Sequence, residues 1–572
     1  MYTLGINAAY HDCSATLVCD GTVIAAAEEE RFTRIKHGKR PVPFSTWQLP
    51  FHAMDYCLRE AGINLADVDH VAYSYNPSLL LGSHAGNATI TLPLEPSAHA
   101  TSEWLSPWDP LFLSSIVNAP RQLAAGAPHH IKSRFKGVRH DGPYQWHFIE
   151  HHLAHEASAF LAAPYDECAV LTMDGRGELA TTSYGMYLDR RYRRLKQVNL
   201  PHSLGLLYEA VTDHLGFLHS SDEYKVMALA SFGKPVYAPL LREVVQYKGG
   251  GDYAVKPAEW EKIFGSPRER GTEFTQDHMN IASSLQVVLE ETVLQMVEWL
   301  HQETGADNLC MAGGVALNCV LNAKVRDQTP FKSVWVQPAS GDSGTSLGAA
   351  LWVDGQNRGL SKRHWQMDHA FLGPSYGDEE IEAFLKLAKL RYRRADNLAV
   401  DVAELLRQNK VIGWFQGRME FGPRALGSRS ILASPLDSSM QSHLNLIKDR
   451  EDFRPVAPVV LEEDVAEWFV DGAVSPFMVF VYDVRPDKAD RIPAVRHVDG
   501  TARIQTINRS QNAPYYDLLR AFKERTGVPV LINTSFNTRG EPVVCSPRDA
   551  VESFCSTPLD VLAIGPFIVE KW

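Results

Sequence analysis

The first thirty residues alternate short apolar runs with polar turns. The apolar runs predict three strands, at 2–6, 14–19 and 22–27. Asp20-Gly21, between the last two runs, is a strong signal for a β-hairpin. The turn between the first two runs consists mainly of small residues and carries His11 and Asp12. Its backbone N–H groups and these two side chains could meet a phosphate or a reacting group.

A helical period marks the middle of the chain. Apolar residues recur every three or four positions after Asn280, which we predict as the cap, at Ile281, Leu285, Val288, Leu289, Val293, Met296, Val297 and Leu300. The helix leads into a short predicted strand at 309–312, a glycine turn and a second helix. Gly313 and Gly314 bare the backbone at the start of that helix, so an adenosine or a phosphate can approach it closely.

Two stretches show neither period. Between about residues 76 and 147 the sequence is rich in Gly, Pro, Ser and His, and it includes Trp104, Trp108 and Trp146. Such a stretch is typical of a functional loop or lid, where exposed Trp suits a small-molecule acceptor, or else of a disordered insertion. The polar stretch 354–359 is turn-rich and is the best candidate for a linker. We therefore place the main domain boundary near 355–370.

Two histidines one helical turn apart are the most informative chemical feature. The spacing of His151 and His155 puts both imidazoles on one face of a helix. Two glycine-rich turns that follow apolar runs carry Asp174 and Asp342, and ligands of α/β folds gather at such strand ends. Imidazole with a carboxylate favours iron or zinc without choosing between them. The alternative is a pair of buried helical histidines and two ordinary Asx turns.

The region beyond the predicted boundary is rich in arginine. A predicted strand at 411–415 is followed by glycines, small residues and three arginines, Arg418, Arg424 and Arg429. Guanidinium forks bind phosphate bidentately, so this pattern suits a triphosphate or an acyl phosphate. More charge follows at Lys448, Arg450 and Arg454. The alternative is a set of surface ion pairs, for which partners are available at Asp449, Glu451 and Asp452.

Composition excludes several classes of protein. With 572 residues, 45% hydrophobic and 22% charged, the chain is typical of a soluble globular protein of roughly two to four domains. No apolar run of about 18 residues and no signal peptide are apparent, so we expect a cytoplasmic protein without a membrane partner. The eight scattered cysteines contain no Cys-x-x-Cys pair, which excludes zinc ribbons and disulfide scaffolds. The net charge of −12 argues against a nucleic-acid partner. The charge-dense stretch 28–37 is expected to be solvated.

Eight motifs occur in order from about residue 3 to residue 570, at 5–15, 29–37, 151–155, 173–178, 312–318, 421–427, 497–503 and 533–537. Together they resemble the NodU/CmcH O-carbamoyltransferase family, which includes antibiotic-tailoring enzymes. The stretch from about 76 to 147 carries none of these motifs.

The resemblance implies an α/β protein of two domains. Residues 1–355 would form a duplicated, TsaD-like domain with the actin-like (ASKHA) ATPase fold, 356–371 a linker, and 372–572 a YrdC-like α/β domain. The YrdC-like domain would bind ATP with Mg²⁺ and carbamoyl phosphate, and would make carbamoyl-adenylate. The TsaD-like domain would pass the carbamoyl group to a hydroxyl of a small-molecule natural product.

The resemblance also implies roles for individual residues. In adenylation it implies catalytic roles for Lys448, Arg503 and Ser535, and cofactor binding by Arg418, Arg424, Arg454 and Asn533. In transfer it implies a catalytic role for His11, and cofactor binding by Asp12, His37, Gly313, Gly314 and Asn318. It also implies a metal, Fe²⁺ or otherwise zinc or another divalent ion, held by His151, His155, Asp174 and Asp342.

The chemistry fits these residue types. Joining carbamate to AMP supplies a good leaving group, while Arg and Lys stabilise charge on the phosphoryl oxygens. His11 is a reasonable general base for an alcohol nucleophile. Three other readings remain: a carbamoyl-adenylate-dependent modifier of a macromolecule, an actin-like sugar kinase, and an ATP-gated binding protein. A homodimer is a sensible expectation for a cytoplasmic enzyme.

Overall fold

The computed structural model describes residues 1–38, 49–81, 109–125, 143–359, 363–538 and 540–571. The chain forms two compact units. The first contains Met1–Gly205, Ala306–Val315 and Ala339–Gln366, and the second contains Leu206–Gly305, Ala316–Pro338 and Met367–Trp572. Both units combine helices with sheets, which confirms the predicted α/β class. Among the described residues, no helix is long and apolar enough to cross a bilayer.

The first sheet of the first unit begins with the predicted hairpin. Its strand order is Thr22–Glu28, Ser14–Cys19, Tyr2–Asn7, His70–Tyr73 and Gln145–Phe148. The first three strands are antiparallel and the last two continue parallel to Tyr2–Asn7. A Cβ atom on Gly5 would collide with the carbonyl oxygen of Ser346, so glycine here lets the helix Ser343–Arg358 pack directly on the sheet.

The second sheet repeats this arrangement. Within the first unit it contains an antiparallel meander, Cys168–Met173, Ala180–Leu188 and Arg191–Asn199. The strand Asn308–Ala312 lies parallel to the first strand of that meander, just as His70–Tyr73 lies beside Tyr2–Asn7. Two successive sheets with the same order are the duplication that the actin-like prediction requires.

The helices of the first unit flank these sheets. They are Glu30–Thr33, Phe51–Glu60, Ser78–Leu81, Asp109–Val117, Ala119–Ala125, His151–Phe160 and Ser343–Arg358, with 3-10 turns at Lys36–Gly38 and Leu65–Asp67. Helices and the strand Gln145–Phe148 therefore occupy the described parts of the stretch 76–147, where the prediction of an irregular loop was wrong. Trp146 is half-buried in that strand and stacks on Tyr73, whereas Trp104 and Trp108 lie outside the described residues.

The charge-dense stretch after the hairpin is buried, so the expectation of a solvated segment was wrong. Glu28, Glu29, Glu30 and Arg31 are each at most 9% exposed. Arg31 pairs with Glu28 at 3.3 Å and with Glu30 at 2.9 Å. The Glu29 carboxylate accepts the backbone N–H of Ala53 at 2.8 Å, near the start of the helix Phe51–Glu60. Composition could not reveal the partner of Glu29, because Ala53 lies 24 residues later in the sequence.

The turn-rich linker expected at 354–359 is helical up to Arg358. Asp354 is fully buried and accepts a hydrogen bond at 2.7 Å from Arg358, one helical turn later. This pair stabilises the last turn of the helix despite the glycine and asparagine around it. The domain limits 1–355, 356–371 and 372–572 stay a prediction.

The second unit is built on an eight-stranded sheet. Its order is Tyr392–Arg394, Phe567–Glu570, Val561–Ile564, Ile412–Phe415, Arg429–Ala433, Val530–Ser535, Ala457–Leu461 and Gln505–Ile507. Two strand pairs accompany it, Val245–Gly249 with Asp252–Val255 and Val481–Asp483 with Thr501–Arg503. A further strand is Ser333–Val336.

The second unit also contains many helices. Those lying mainly in the second unit are Leu204–His214, Glu223–Ala230, Ala238–Val244, Trp260–Phe264, Gln276–Thr304, Cys319–Gln328, Asp378–Leu387, Leu398–Arg407, Met440–Ile447, Val465–Trp468, Ala513–Thr526 and Pro547–Ser556. Shorter 3-10 turns are Gly314–Leu317, Glu462–Asp464, Ala489–Arg491 and Pro493–Val495.

The long helix begins one turn before the predicted cap. Thr275 is its N-cap, accepting the His278 N–H at 3.4 Å and donating its own N–H to the His278 ring at 3.0 Å. Asn280 instead accepts the Lys234 N–H at 2.8 Å. The first turn is largely polar, so the apolar period that located the helix could not reveal it.

Candidate functional site

The four predicted metal ligands meet in the first unit. His151 and His155 start the helix His151–Phe160, Asp174 follows the strand Cys168–Met173, and Asp342 precedes the helix Ser343–Arg358. Their ligand atoms all lie within 4.8 Å of one another. The closest approaches are 3.5 Å from His151 Nε2 to Asp342 Oδ1, and 3.7 Å both from His155 Nε2 to that oxygen and from His151 Nε2 to Asp174 Oδ2.

Three of the four residues are almost fully buried, and their ligand atoms have no hydrogen-bond partner among the described residues. His151, His155 and Asp342 are at most 1% exposed. Within the described part of the chain, four of their ligand atoms make no hydrogen bond. They are Nε2 of His151, Nε2 of His155 and the two carboxylate oxygens of Asp342. Buried polar atoms are nearly always satisfied, so donors that converge without partners fit a metal ion.

The charges of this cluster stabilise each other. Burial works to lower the pKa of His151, but Asp342 and Asp174 outweigh it and raise that pKa well above its usual value. Burial works to raise the pKa of Asp342, and His11 and His151 outweigh it and hold the pKa at about 2. The pKa of Asp174 is lowered in the same way, against burial, mainly by His151. Both carboxylates are thus ionised, as metal ligation requires.

The predicted glycine turn orients Asp174. The N–H of Gly314 donates to Asp174 Oδ1 at 2.7 Å, which leaves Oδ2 directed to His151. Gly313 has φ +90°, and a Cβ there would collide with the carbonyl oxygen of Met173. Nucleotide binding at these two glycines stays a prediction. Asn318 caps the helix Cys319–Gln328 by accepting the Leu321 N–H at 3.0 Å.

Glu178 belongs to this site, although the sequence analysis assigned it no role. It is 3% exposed, and its two oxygens accept the N–H of His151 at 3.0 and 3.1 Å. It also accepts the N–H of Asn76 at 2.6 Å, and burial raises its pKa to about 7. Glu178 thus holds the start of the ligand-bearing helix. The signal available was its place in the 173–178 motif.

His11 lies at the edge of the same cluster. Its Nδ1 is 2.8 Å from Asp12 Oδ2 and 3.7 Å from Asp342 Oδ2. The His11 side chain is 28% exposed, against 1% for Asp342, so a substrate could reach His11 from solvent. His37 Nδ1 lies 2.9 Å from Asp12 Oδ1. The structure therefore brings the predicted residues His11, Asp12 and His37 together.

Four arginines form the arginine cluster of the second unit: Arg424, Arg450, Arg454 and Arg503. Burial, followed by Arg503, lowers the pKa of Arg424, and burial, followed by Arg454, lowers that of Arg450. Among the described residues, Glu451 is the one carboxylate paired with the cluster, 3.5 Å from Arg454. Arg450 Nη2 and Arg503 Nε are buried without hydrogen-bond partners there. The alternative of ordinary ion pairs is therefore wrong for Arg450, and the cluster suits an anion.

Lys448 and Ser535 also meet, as predicted. Lys448 is 5% exposed, and its ammonium group donates to the carbonyl oxygen of Ser535, and at 2.8 Å to both oxygens of Asn537. Ser535 Oγ donates to Asn537 Oδ1 at 2.7 Å. Lys448 thus fixes the turn after the strand Val530–Ser535. Asn537 is a residue that the sequence analysis placed only within a motif.

Two predicted cofactor ligands are engaged by the protein itself. Arg418 donates to the carbonyl oxygens of Leu372 at 2.7 Å and Gly373 at 3.3 Å. Asn533 is 1% exposed and donates to the Ala425 carbonyl at 3.1 Å and to Gln505 at 2.8 Å. Asn533 therefore holds the 421–427 loop through Ala425, and its contact with a cofactor stays a prediction.

A mostly apolar cavity of about 70 Å³ opens beside the arginine cluster. Its lining includes Met227, Cys319 and Phe453, and its polar wall includes His497 and Arg503. Burial, only partly opposed by Asp499, lowers the pKa of His497 to about 4. His497 is therefore neutral at physiological pH beside these cations.

Comparison with known families decides the identity. The family described as Carbamoyltransferase N-terminus matches residues 2–80 and 130–351, and Carbamoyltransferase C-terminus matches residues 403–571. The chain belongs to the carbamoyltransferase family. This carbamoyltransferase is 38% identical to the nodulation protein NolNO of Sinorhizobium fredii, over 99% of this chain and 80% of that protein. It is 40% identical to the nodulation protein NolO of Bradyrhizobium diazoefficiens, over 74% of this chain and 79% of that protein.

Solved structures resemble the carbamoyltransferase only distantly. HypF of T. kodakarensis matches with 13% identity and a TM-score of 0.33, over 63% of this chain and 48% of that one. A ROK hexokinase of Thermus thermophilus matches with 13% identity and a TM-score of 0.30, over 62% of this chain and 100% of that one.

Proposed function

We propose that this carbamoyltransferase is an ATP-dependent O-carbamoyltransferase. It uses carbamoyl phosphate to form carbamoyl-adenylate, and then carbamoylates a hydroxyl of a small-molecule natural product, as in antibiotic tailoring. The observation that carries the proposal is the coexistence, in one carbamoyltransferase chain, of an arginine cluster suited to phosphates and a separate set of metal-ligand residues with a histidine beside it.

The arginine cluster supports the adenylation half-reaction. Water hydrolyses carbamoyl phosphate to carbamate and inorganic phosphate. A carbamate oxygen then attacks the α-phosphorus of ATP, and pyrophosphate leaves with the electron pair of the broken P–O bond. Charge develops on phosphoryl oxygens throughout, and preorganised cations stabilise it. Arg450 Nη2 and Arg503 Nε, buried without partners among the described residues, are suited to that contact. Lys448 and Asn537 hold Ser535, the other residue proposed for this half-reaction, in place.

His11 supports the transfer half-reaction. The acceptor oxygen forms a bond to the carbamoyl carbon, the bond from that carbon to the AMP oxygen breaks, and AMP leaves with the electron pair. The acceptor must lose its proton as it attacks, and a neutral imidazole is a suitable base. His11 is partly exposed, whereas the histidines of the metal-ligand cluster are buried. This difference favours His11 as the proton acceptor.

The four-residue cluster fits a divalent metal. Two imidazoles and two ionised carboxylates converge, and those of His151, His155 and Asp342 have unpartnered ligand atoms among the described residues; these are donors that Fe²⁺ and Zn²⁺ take. When bound, such an ion supplies a Lewis acid that polarises an oxygen of the carbamoyl or phosphate group. Glu178 accepts the N–H of His151, and the N–H of Gly314 donates to Asp174, so both contacts hold candidate ligand residues in place.

The test is mass spectrometry of the two half-reactions. The protein is incubated with ATP, Mg²⁺ and carbamoyl phosphate, and a panel of alcohols that includes aminoglycosides and macrolide sugars is then added. Carbamoyl-adenylate with pyrophosphate in the first step, and one alcohol heavier by a carbamoyl group in the second, supports the proposal. ADP as the only nucleotide product contradicts it and favours a kinase or an ATP-gated protein. Modification of a macromolecule but of no small alcohol would leave the adenylate chemistry and overturn the acceptor class.

A further inference from the structure

Asp12 lies between two histidines. One of its carboxylate oxygens is 2.8 Å from His11 Nδ1 and the other is 2.9 Å from His37 Nδ1. An ionised carboxylate only accepts hydrogen bonds, so both Nδ1 atoms must carry the proton. In a neutral imidazole that leaves the lone pair on Nε2.

The local backbone is built to hold this bridge. Asp12 has φ +50°, a left-handed conformation that is strained for a residue other than glycine and is concentrated at functional sites. The side-chain amide of Asn7 donates to the carbonyl oxygens of His11 at 3.0 Å and Asp12 at 3.1 Å. The N–H of Asp12 donates to the His37 carbonyl at 3.1 Å.

The far end of the bridge is anchored as well. Glu30 accepts the backbone N–H of His37 at 2.6 Å, and Glu30 in turn pairs with the buried Arg31 at 2.9 Å. The backbone of His37 is therefore held by polar contacts that lead into the buried acidic stretch, and its ring contacts Asp12. Burial works to raise the pKa of Asp12, but His37 and His11 outweigh burial and lower it well below its usual value.

We propose that Asp12 is a positioning residue that bridges the Nδ1 atoms of His11 and His37 and thereby presents the Nε2 lone pair of His11 to the acceptor hydroxyl. The inference rests on the proposed function, because it assigns the proton transfer of that reaction. The acceptor O–H proton passes to His11 Nε2 while the oxygen attacks the carbamoyl carbon and AMP leaves. Asp12 stays ionised throughout and stabilises the imidazolium that forms.

This role differs from cofactor binding, the function that the family resemblance implies for Asp12 and His37. A nucleotide ligand would affect the first half-reaction or the affinity for ATP. A positioning residue affects only the second half-reaction, and through kcat rather than the acceptor KM, because Asp12 acts on the base and not on the substrate.

The experiment measures both half-reactions of Asp12→Asn. The amide keeps the size of the side chain but offers an N–H donor, which favours the wrong tautomer in one of the two histidines. We expect pyrophosphate release with carbamoyl phosphate to be retained, and carbamoyl transfer at saturating acceptor to fall about 10²–10⁴-fold with an unchanged acceptor KM. In the His11→Asn background, Asp12→Asn should cause no further loss.

A matched control is His52→Gln. His52 also pairs with a carboxylate through Nδ1, 2.6 Å from Glu29, but this pair contacts neither Asp12 nor His11 through any described hydrogen bond. It should leave both half-reactions unchanged. His37→Gln, which removes only the far partner, should slow transfer less than Asp12→Asn does, and it replaces Asp12→Asn if that variant fails to fold.

Nitrogen NMR of ¹⁵N-histidine-labelled protein tests the tautomer without turnover. The signal of His11, assigned by its loss in His11→Asn, should report Nδ1–H in the wild type and move toward Nε2–H in Asp12→Asn. Equal losses in both half-reactions, or a raised KM for ATP, would overturn positioning in favour of nucleotide binding. A wild type that makes no adenylate refutes the proposed function, whereas an Nε2–H signal in the wild type refutes only the bridge.

Discussion

The metal-ligand cluster of the first unit and the arginine cluster of the second bury charge in opposite ways. In the metal-ligand cluster, carboxylates and imidazoles lie 3.5–3.7 Å apart and favour each other's charged forms. In the arginine cluster, like charges and burial both lower the pKa values of Arg424 and Arg450. A buried charge without a partner is costly. We therefore expect the arginine cluster to destabilise the unbound protein and the metal-ligand cluster to tolerate an unbound state through histidine protonation.

The largest effects should separate the two half-reactions. Lys448→Ala removes the donor to Ser535 and Asn537, so we expect carbamoyl-adenylate formation to fall at least about 10²–10³-fold. His11→Asn should leave adenylate forming and stop transfer. Pyrophosphate release and acceptor carbamoylation measure the two steps. Lys410→Ala, which removes an exposed lysine 3.3 Å from Asp560, is the matched control. If Lys448→Ala and His11→Asn both lost only the first step, this division of labour would be wrong.

The next effect concerns metal content. His151→Ala removes a donor from the four-residue cluster, and we expect metal affinity to fall by more than about 100-fold, as measured by elemental analysis after dialysis. His152 is the matched control, because its Nδ1 lies 2.9 Å from Thr172 Oγ1 and it is not a member of the cluster. His152→Gln should lower Tm and retain the metal. Loss of metal in both variants would point to a general collapse of the helix.

A smaller effect should carry opposite signs for binding and stability. Arg450→Ala relieves repulsion within the arginine cluster, so we expect it to raise the free energy of unfolding by about 1 kcal/mol without ligand. It should also weaken binding of ATP or carbamoyl phosphate about 10-fold to 100-fold. Thermal unfolding and calorimetry measure the two quantities. Arg485→Ala, at an exposed arginine 3.3 Å from Asp487, should change neither. A destabilised Arg450→Ala would show that the cluster is already compensated.

The smallest expected effect is a pH dependence of stability that comes from His497 in the second unit. The pKa of His497 is lowered to about 4 in the fold, below its value of about 6.5 in an unfolded chain. Between these values the unfolded state binds more protons, so the contribution of His497 is fully present above about pH 6.5 and is lost as pH falls toward 4. His497→Asn should flatten the dependence of Tm on pH in that window. An unchanged slope would assign the acid sensitivity to other groups.

Residues that share a local pattern could be predicted from sequence. The i, i+4 spacing of His151 and His155 specified one helix face, and the hairpin around Asp20-Gly21 formed as expected. In both places the signal and its structural consequence lie within a few residues. The convergence of Asp174 and Asp342 on those histidines needed the family resemblance, because it depends on strand pairing over more than a hundred residues.

Where the sequence did not show a residue's surroundings, the relevant contacts come from residues distant in sequence. Glu29 looked solvated because its partner Ala53 lies elsewhere in the sequence. Asn533 hydrogen-bonds Gln505 within the sheet, and its contact with a cofactor stays a prediction. The alternative of an ordinary ion pair failed for Arg450, whose pKa is lowered by burial and by Arg454. The sequence shows which charges exist, whereas only tertiary packing shows whether each charge has a partner.

The hydrogen bond from Gly314 to Asp174 has a consequence for metal selectivity. Asp174 Oδ1 already accepts that N–H, so Oδ2 is the oxygen that Asp174 would offer more readily to a metal ion. Two of the four ligand residues are imidazoles. Calcium takes roughly six to eight oxygen ligands, often from bidentate carboxylates. If the cluster binds a metal, as proposed, this backbone amide would therefore favour Fe²⁺ or Zn²⁺ over calcium.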